Sequence, residues 1–257
     1  PITTELALAW ARLPRNAAPR YWARRWQIVR CFAKHEAALN PRAEALPAGL
    51  LGPVHRRPMP HIYSDAEIAQ LLAAARQLTP LGGLRPRTYE TLFGLLACTG
   101  MRVSEALRLT RDDADLRGGV LSIRQTKFRK SRLVPLHASC VQVLRTYARF
   151  RDRVSRRECC SAFLLAPRGW YLDYSTVNDT FRELRRRLGW DNGSAGHVPK
   201  IHDLRHTFAC RRLLEWYRTG ADVQHHLSAL STYLLLRAIF IEPSVGYVRM
   251  MFHEHRN

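Results

Sequence analysis

His202-Asp203-Leu204-Arg205-His206-Thr207-Phe208-Ala209 sets a histidine and an arginine three positions apart in a stretch that reads as the start of a helix. At that spacing both side chains project from one face. An imidazole can move a proton near neutral pH, and a guanidinium fork matches the oxygens of a phosphate. Taken alone, the pair reads more readily as a helix start with a basic rim. A second segment narrows the choice. About a hundred residues upstream, Ala97-Cys98-Thr99-Gly100-Met101-Arg102-Val103-Ser104-Glu105-Ala106-Leu107 carries another arginine just past a Thr-Gly helix break.

The chain has 257 residues, enough for one large domain or a small one followed by a larger one. Its 46% hydrophobic content suits an ordinary folded core and excludes a disordered chain. Basic residues outnumber acidic ones 41 to 21, a net charge of +20. Such a surplus points to a polyanionic partner, nucleic acid first and an acidic membrane surface second. Only Lys34, Lys127, Lys130 and Lys200 are lysines. An arginine-favouring coding bias explains that choice of cation but not the excess of basic over acidic residues.

The six cysteines show no C-x-x-C and no zinc-like spacing. Adjacent Cys159-Cys160 could form a redox pair, although scattered thiols in a reducing cytoplasm are the simpler reading. No signal peptide is visible, and a chain beginning at Pro1 reads as having a missing or processed start. The apolar run Leu234 to Ile241 is too short to span a bilayer and contains Arg237. The expected location is the cytoplasm, at the nucleoid, with no membrane partner.

Thr4 to Asn40 reads as helical, with Trp10, Tyr21, Trp22, Trp26 and Phe32 among arginines. Pro41 to Pro60 lacks periodicity and is rich in Pro, Gly and Arg, which reads as an exposed linker. Ser64-Asp65-Ala66-Glu67 is a capping box that opens a new domain. Helices are expected over about Thr88–Cys98 and Val103–Leu109. Strands follow at Val120–Ile123 and Arg132–Leu136, separated by a turn over Lys127–Lys130. Further helices are expected over Ser139–Arg156, Ser175–Leu188 and His202–Tyr217, with a short apolar segment at Ala162–Leu165. The fold class is α+β, mostly helical, with a small antiparallel sheet behind a helical N-terminal piece.

Metal-free cleavage of a phosphodiester needs an in-line nucleophile, cationic donors on the non-bridging oxygens and an acid for the leaving oxygen. No Asp/Glu cluster suggests a two-metal site, so no metal or other cofactor is expected. Arg102 and Arg205 are the candidate phosphate clamp, although either is also readable as one more surface arginine. The backbone N–H groups where Arg102 enters a helix can add to an anion site. A turn lysine, Lys127 or Lys130, can surrender a proton when desolvated, whereas arginine effectively cannot. His202 can assist proton transfer or bond the phosphate, or simply cap a helix. Glu105 can orient Arg102 through an ion pair, and Asp203 beside His202 reads as a structural support. Arg24, Arg25, Arg129 and Lys130 are candidate DNA-binding residues.

Four elements occur in order: Thr99-Gly100-Met101-Arg102-Val103-Ser104-Glu105, the lysine hairpin, His202-Asp203-Leu204-Arg205-His206 and Gly220-Ala221-Asp222-Val223. In that order they resemble the tyrosine recombinases, or phage-type integrases, over about Tyr63 to Leu234. The resemblance implies site-specific DNA recombination and integration through a 3′-phosphotyrosine, without cofactor, on double-stranded DNA by a homo-tetramer, in the service of a mobile genetic element. It selects Lys127 as the general acid, because the family's acid lies eight residues before the proline of a strand like Arg132–Leu136. It also implies an organisation of 1–46 as a partial core-binding domain, 47–62 as a linker, 63–234 as the catalytic domain and 235–257 as an atypical tail.

The tail departs from the family. Aligned on Leu230 to Leu234, the family's Gly, His and nucleophilic Tyr fall at Leu235, Leu236 and Val245. Tyr247 is two residues late, which on a helix turns a side chain by roughly 200°. Tyr233 is far too early. So abrupt a change is what a frameshift or an alternative gene end from about residue 235 is expected to leave. Tyr247 is the remaining candidate nucleophile, and the alternative is a non-catalytic DNA-binding remnant of an integrase.

Overall fold

Pro14 and Pro19 divide the N-terminal helical run, expected to be continuous, into two helices. The computed structural model describes residues 2–40, 44–53, 59–124, 131–155, 160–192 and 198–234, and places α1 at Thr4–Arg12 and α2 at Pro19–Leu39. Pro19 takes the first position of α2, where its missing N–H costs no helix bond. Ala7, Ala11 and Ala33 are buried with Trp26 between the two helices, small side chains that permit close approach. The Trp26 indole donates to the Pro47 carbonyl at 3.1 Å, and Leu46 is buried beside it. Part of the stretch expected to be linker is thus packed against α2, because a buried indole N–H requires an acceptor. The chain forms two compact units, Pro1–Pro58 and Met59–Asn257.

The second unit starts with α3 (Asp65–Arg76), whose capping box forms as expected: Ser64 Oγ accepts from Glu67 N–H and Glu67 Oε2 accepts from Ser64 N–H. Next comes α4 (Leu84–Thr99), apolar on nearly every side and packed against α3 and two later helices, α6 (Ala138–Val154) and α8 (Asp203–Arg218). It begins four residues before the expected start, since Pro86 lies in the first turn where its ring is tolerated. The short α5 (Val103–Arg108) leads into an antiparallel sheet ordered β1 (Ala114–Asp115), β2 (Val120–Ile123), β3 (Arg132–Pro135). The two-residue β1 went unread because it is too short to alternate. Ile123 pairs with Arg132 and Leu121 with Val134, so these four residues share one face of the sheet.

After α6 the chain makes isolated bridges, Thr110 to Ala162 and Leu165 to Tyr171, before α7 (Tyr174–Arg187). A single 3-10 turn follows at Trp190–Asn192, and after α8 the last described helix is α9 (Val223–Leu234). Leu92, Phe93, Leu121, Val134, Phe181 and Leu204 belong to the main core, which therefore unites helices and sheet. The architecture is mostly helical with one small antiparallel sheet. Among the described residues, no helix is long and apolar enough to cross a membrane.

Candidate active site

Gly100 ends α4 in the left-handed region, at φ +62°, and a Cβ there would lie 2.5 Å from Phe208 Cδ1. Only glycine fits both the dihedral and the space. That close approach lays the α4–α5 turn directly on α8. Arg205, in the first turn of α8, is 3% exposed and donates from Nη1 to the Gly100 carbonyl at 2.7 Å. Its Nη2 donates to the Leu234 carbonyl at the end of α9. The two sequence motifs are thus joined through a buried guanidinium.

Arg102 follows the glycine turn as the N-cap residue of α5, in extended conformation. Its backbone N–H donates to Glu105 Oε2 at 2.9 Å and its Nη1 to Glu105 Oε1 at 2.8 Å. Glu105 also accepts from both terminal nitrogens of Arg132, at 3.1 and 2.7 Å. Burial alone would raise the Glu105 carboxyl. The bonds from Arg132 and from Arg102 outweigh that effect and hold it down at about 2. Glu105 is therefore a shared anchor for two arginines, which is more than the simple orienting pair expected of it.

Arg132 did not figure among the candidate residues. Its side chain is 9% exposed and belongs to the Arg102–Glu105–Arg132 cluster. Strand alternation carried the signal: in β3, Arg132 shares the inward face of Val134, where an arginine demands a buried anion.

Arg102 and Arg132 share one carboxylate, Glu105, and the buried Arg205 cation lies within the field of all three groups. Burial first, and then the field of Arg102, pulls the Arg205 pKa down to about 9, so it remains a cation at neutral pH. The Nε atoms of Arg205 and Arg132 are buried without hydrogen-bond partners. A bound anion would relieve the repulsion among the three guanidinium groups.

His202 precedes α8 as its N-cap residue and is exposed. Partial desolvation, followed by the charges of His206 and Arg205, pushes its pKa down to about 4. His202 is therefore neutral at pH 7, and its edge-to-face contact with His206 (5.4 Å) orients it. Asp203 is buried and accepts from Lys200 N–H at 2.9 Å. Thr207 Oγ1 donates to the Asp203 carbonyl and accepts from Tyr63 N–H, linking the start of α8 to the start of the unit.

Tyr233 Oη donates to the Thr99 carbonyl at 3.0 Å while its ring stacks on Phe208. Burial pushes its hydroxyl up to about 12, a packing role that agrees with its unsuitable sequence position. Lys127, Arg129, Lys130 and Tyr247 lie outside the described residues. In the first unit Arg24 is exposed. Arg25 is committed to Trp10, with its guanidinium 3.7 Å from the ring centroid and Nη2 donating to the Trp10 carbonyl.

The sequence model of the phage integrase family matches residues 63–227, from the strap before α3 into α9. The chain belongs to the phage integrase family. A relative from Sinorhizobium fredii (strain NBRC 101917 / NGR234), y4rB, named as an integrase/recombinase, is 44% identical over 237 residues, 91% of this chain and 76% of the relative. Among solved structures, the XerH site-specific recombinase bound to its palindromic difH substrate superposes with a TM-score of 0.70 at 15% identity, covering 99% of this chain and 71% of XerH. A lambda integrase tetramer bound to a Holliday junction gives 0.58 at 18% identity, covering 91% of this chain and 63% of that one. These similarities place the fold among the integrases, and the 44% identity to y4rB adds relatedness in sequence.

Proposed function

We propose that this phage integrase family member is a tyrosine-type site-specific DNA recombinase whose second unit holds the scissile phosphate between Arg102 and Arg205. The observation that carries the reading is the cationic cluster around Glu105: Arg102 and Arg132 are bonded to that carboxylate with buried Arg205 beside them, and the Nε atoms of Arg132 and Arg205 have no hydrogen-bond partner among the described residues. A phosphodiester offers the bidentate oxygens that guanidinium groups bind best. The chemistry is an in-line displacement. A tyrosine oxygen attacks phosphorus, the 5′-oxygen leaves, and a 3′-phosphotyrosine links protein to DNA until the reverse attack rejoins the strand. Arg102 and Arg205 stabilise the charge that develops on the non-bridging oxygens. Neutral His202 donates a hydrogen bond to the phosphate or assists proton transfer with the nucleophile, and Lys127 delivers the proton to the leaving oxygen. Glu105 and Asp203 hold the arginine and histidine in place, and Tyr247 is the nucleophile.

In this reading residues 1–46 form a partial core-binding domain, 47–62 a linker, 63–234 the catalytic domain and 235–257 a divergent tail. Double-stranded DNA is the partner, as for the XerH complex, and four copies act together, as for the lambda integrase tetramer. The protein works in the cytoplasm at the nucleoid.

A second reading rests on one specific observation. Valine 245 stands where the family's tyrosine is expected, so the chain binds DNA through the same clamp without cutting it. One experiment separates the two. The protein is incubated with DNA nicked near the scissile phosphate, and covalent adducts are resolved under denaturing conditions. An adduct lost in Tyr247→Phe supports the recombinase. Salt-sensitive binding without an adduct supports the second reading. Absence of DNA binding overturns both.

A further inference from the structure

Two thiols that the recombination chemistry does not use touch each other at the edge of an apolar groove. Cys98 Sγ and Cys140 Sγ are 3.3 Å apart, across 42 residues of sequence. Cys98 lies in the last turn of α4 and Cys140 in the first turn of α6. Cys98 is exposed, Cys140 is half-buried, and both line a groove of about 280 Å³ with Phe208, Trp216 and Tyr233. A small thiol reagent can reach them from solvent.

We propose that Cys98 and Cys140 form a dithiol modification site that small-molecule disulfides convert to an intramolecular disulfide, fastening the end of α4 to the start of α6. The two helix ends give the thiols different roles. Positive helix-terminal potential favours a thiolate at Cys140, whereas the carbonyl end of α4 disfavours one at Cys98. The hydrogen bond between them acts in the same sense, lowering the Cys140 pKa and raising that of Cys98. Cys140 is thus the attacking sulfur and Cys98 the resolving one.

The exchange balances. The Cys140 thiolate attacks one sulfur of the small disulfide, forming a mixed disulfide and expelling a small thiolate. That thiolate takes the proton of Cys98, and Cys98 then attacks Cys140 Sγ, expelling the second small thiolate, which is protonated from water. Two protein thiols are oxidised, and one small disulfide is reduced to two small thiols. Bond formation brings the two sulfurs from 3.3 Å to about 2.05 Å. Cys98 lies four residues before Arg102, so the bond forms beside the turn that carries the clamp. In a reducing cytoplasm the pair stays open, and it closes when the thiol–disulfide poise turns oxidising.

The test uses the whole chain equilibrated with reduced and oxidised glutathione over a series of ratios, alkylated, digested and read by mass spectrometry. A cross-linked Cys98–Cys140 peptide is expected, with buried Cys160 and Cys210 still reduced. Cys98→Ser should trap glutathione on Cys140. In Cys140→Ser, Cys98 should react at least about tenfold more slowly than Cys140 does in the companion variant, because its thiolate fraction is smaller. Thermal melting of the reduced variants checks their fold, and the wild-type peptide map decides the matter if either variant is unfolded. Free thiols at the most oxidising ratio, a bridge to any other cysteine, or a lasting glutathione adduct on either residue of the wild type overturns the proposal. None of these results depends on DNA cleavage.

Discussion

Arg205 Nη1 lies 2.7 Å from the Gly100 carbonyl oxygen, a bond that spans 105 residues and ties α8 to the turn presenting Arg102. Removing the guanidinium leaves that buried carbonyl unpaired. Arg205→Ala should lower unfolding free energy by roughly 1–3 kcal/mol, the usual cost of an orphaned buried acceptor. Arg205→Lys keeps the charge but not the fork, and should recover less than half of the loss. Urea denaturation of the three proteins measures both effects, and a lysine variant as stable as wild type would show that the fork is unnecessary.

Gly100 faces two independent constraints, a positive φ and the Phe208 ring. Gly100→Ala should therefore cost roughly 2–4 kcal/mol, summing left-handed strain and overpacking. In a Phe208→Leu background the steric share should shrink while the dihedral share persists. Equal penalties in both backgrounds, in the same denaturation assay, would rule out the ring as the cause.

Glu105 titrates with a sign that can be worked out. Its folded pKa, about 2, is below the ordinary 4.5, so its contribution to stability is fully present above pH 4.5 and is lost as pH falls through 2. The displacement corresponds to roughly 3 kcal/mol. Glu105→Gln should be less stable than wild type at pH 6, and the difference should shrink steadily between pH 4.5 and 2. Paired denaturation curves over that interval measure it, and a constant gap would contradict a depressed carboxyl.

Arg132 and Glu105 should be energetically coupled because each is the other's principal buried partner. A double-mutant cycle with Arg132→Ala and Glu105→Ala should return about 1–3 kcal/mol of interaction, whereas Arg24→Ala with Glu105→Ala should return none beyond error. Additivity in the first cycle would remove Arg132 from the site's support.

The net charge of +20 should appear in DNA affinity as a steep decline with salt. Arg24→Ala should lower the log–log slope by about 1 if its exposed guanidinium meets a phosphate. Arg25→Ala should instead destabilise the first unit by roughly 1 kcal/mol, through loss of its contact with Trp10. Binding titrations at several salt concentrations, with a melting curve for each variant, distinguish the two arginines.

Much of the local structure was readable because local signals act over a few residues. The capping box at Ser64–Glu67 and the apolar alternation of β2 each declare themselves within one turn or strand. Boundaries moved where a proline entered a first turn, as at Pro86, or where two prolines interrupted a helical pattern, as at Pro14 and Pro19. The roles of Arg132 and Tyr233 were missed. One depends on which residue faces the far side of a strand, and the other on a carbonyl 134 residues away.

Sequence alone determined the family, because Thr99–Glu105, the hairpin and His202–His206 stand in an order that composition does not produce by chance. It also determined that both arginine-bearing motifs supply cations. Only the tertiary structure decided how the cations are arranged: Glu105 shared between Arg102 and Arg132, Arg205 buried against Gly100, and Cys98 against Cys140. The reason is physical. Helix caps and strand alternation are settled by neighbours along the chain, whereas the balance of buried charge and the contact of two thiols depend on residues that meet only when α4, β3, α6 and α8 close around one core.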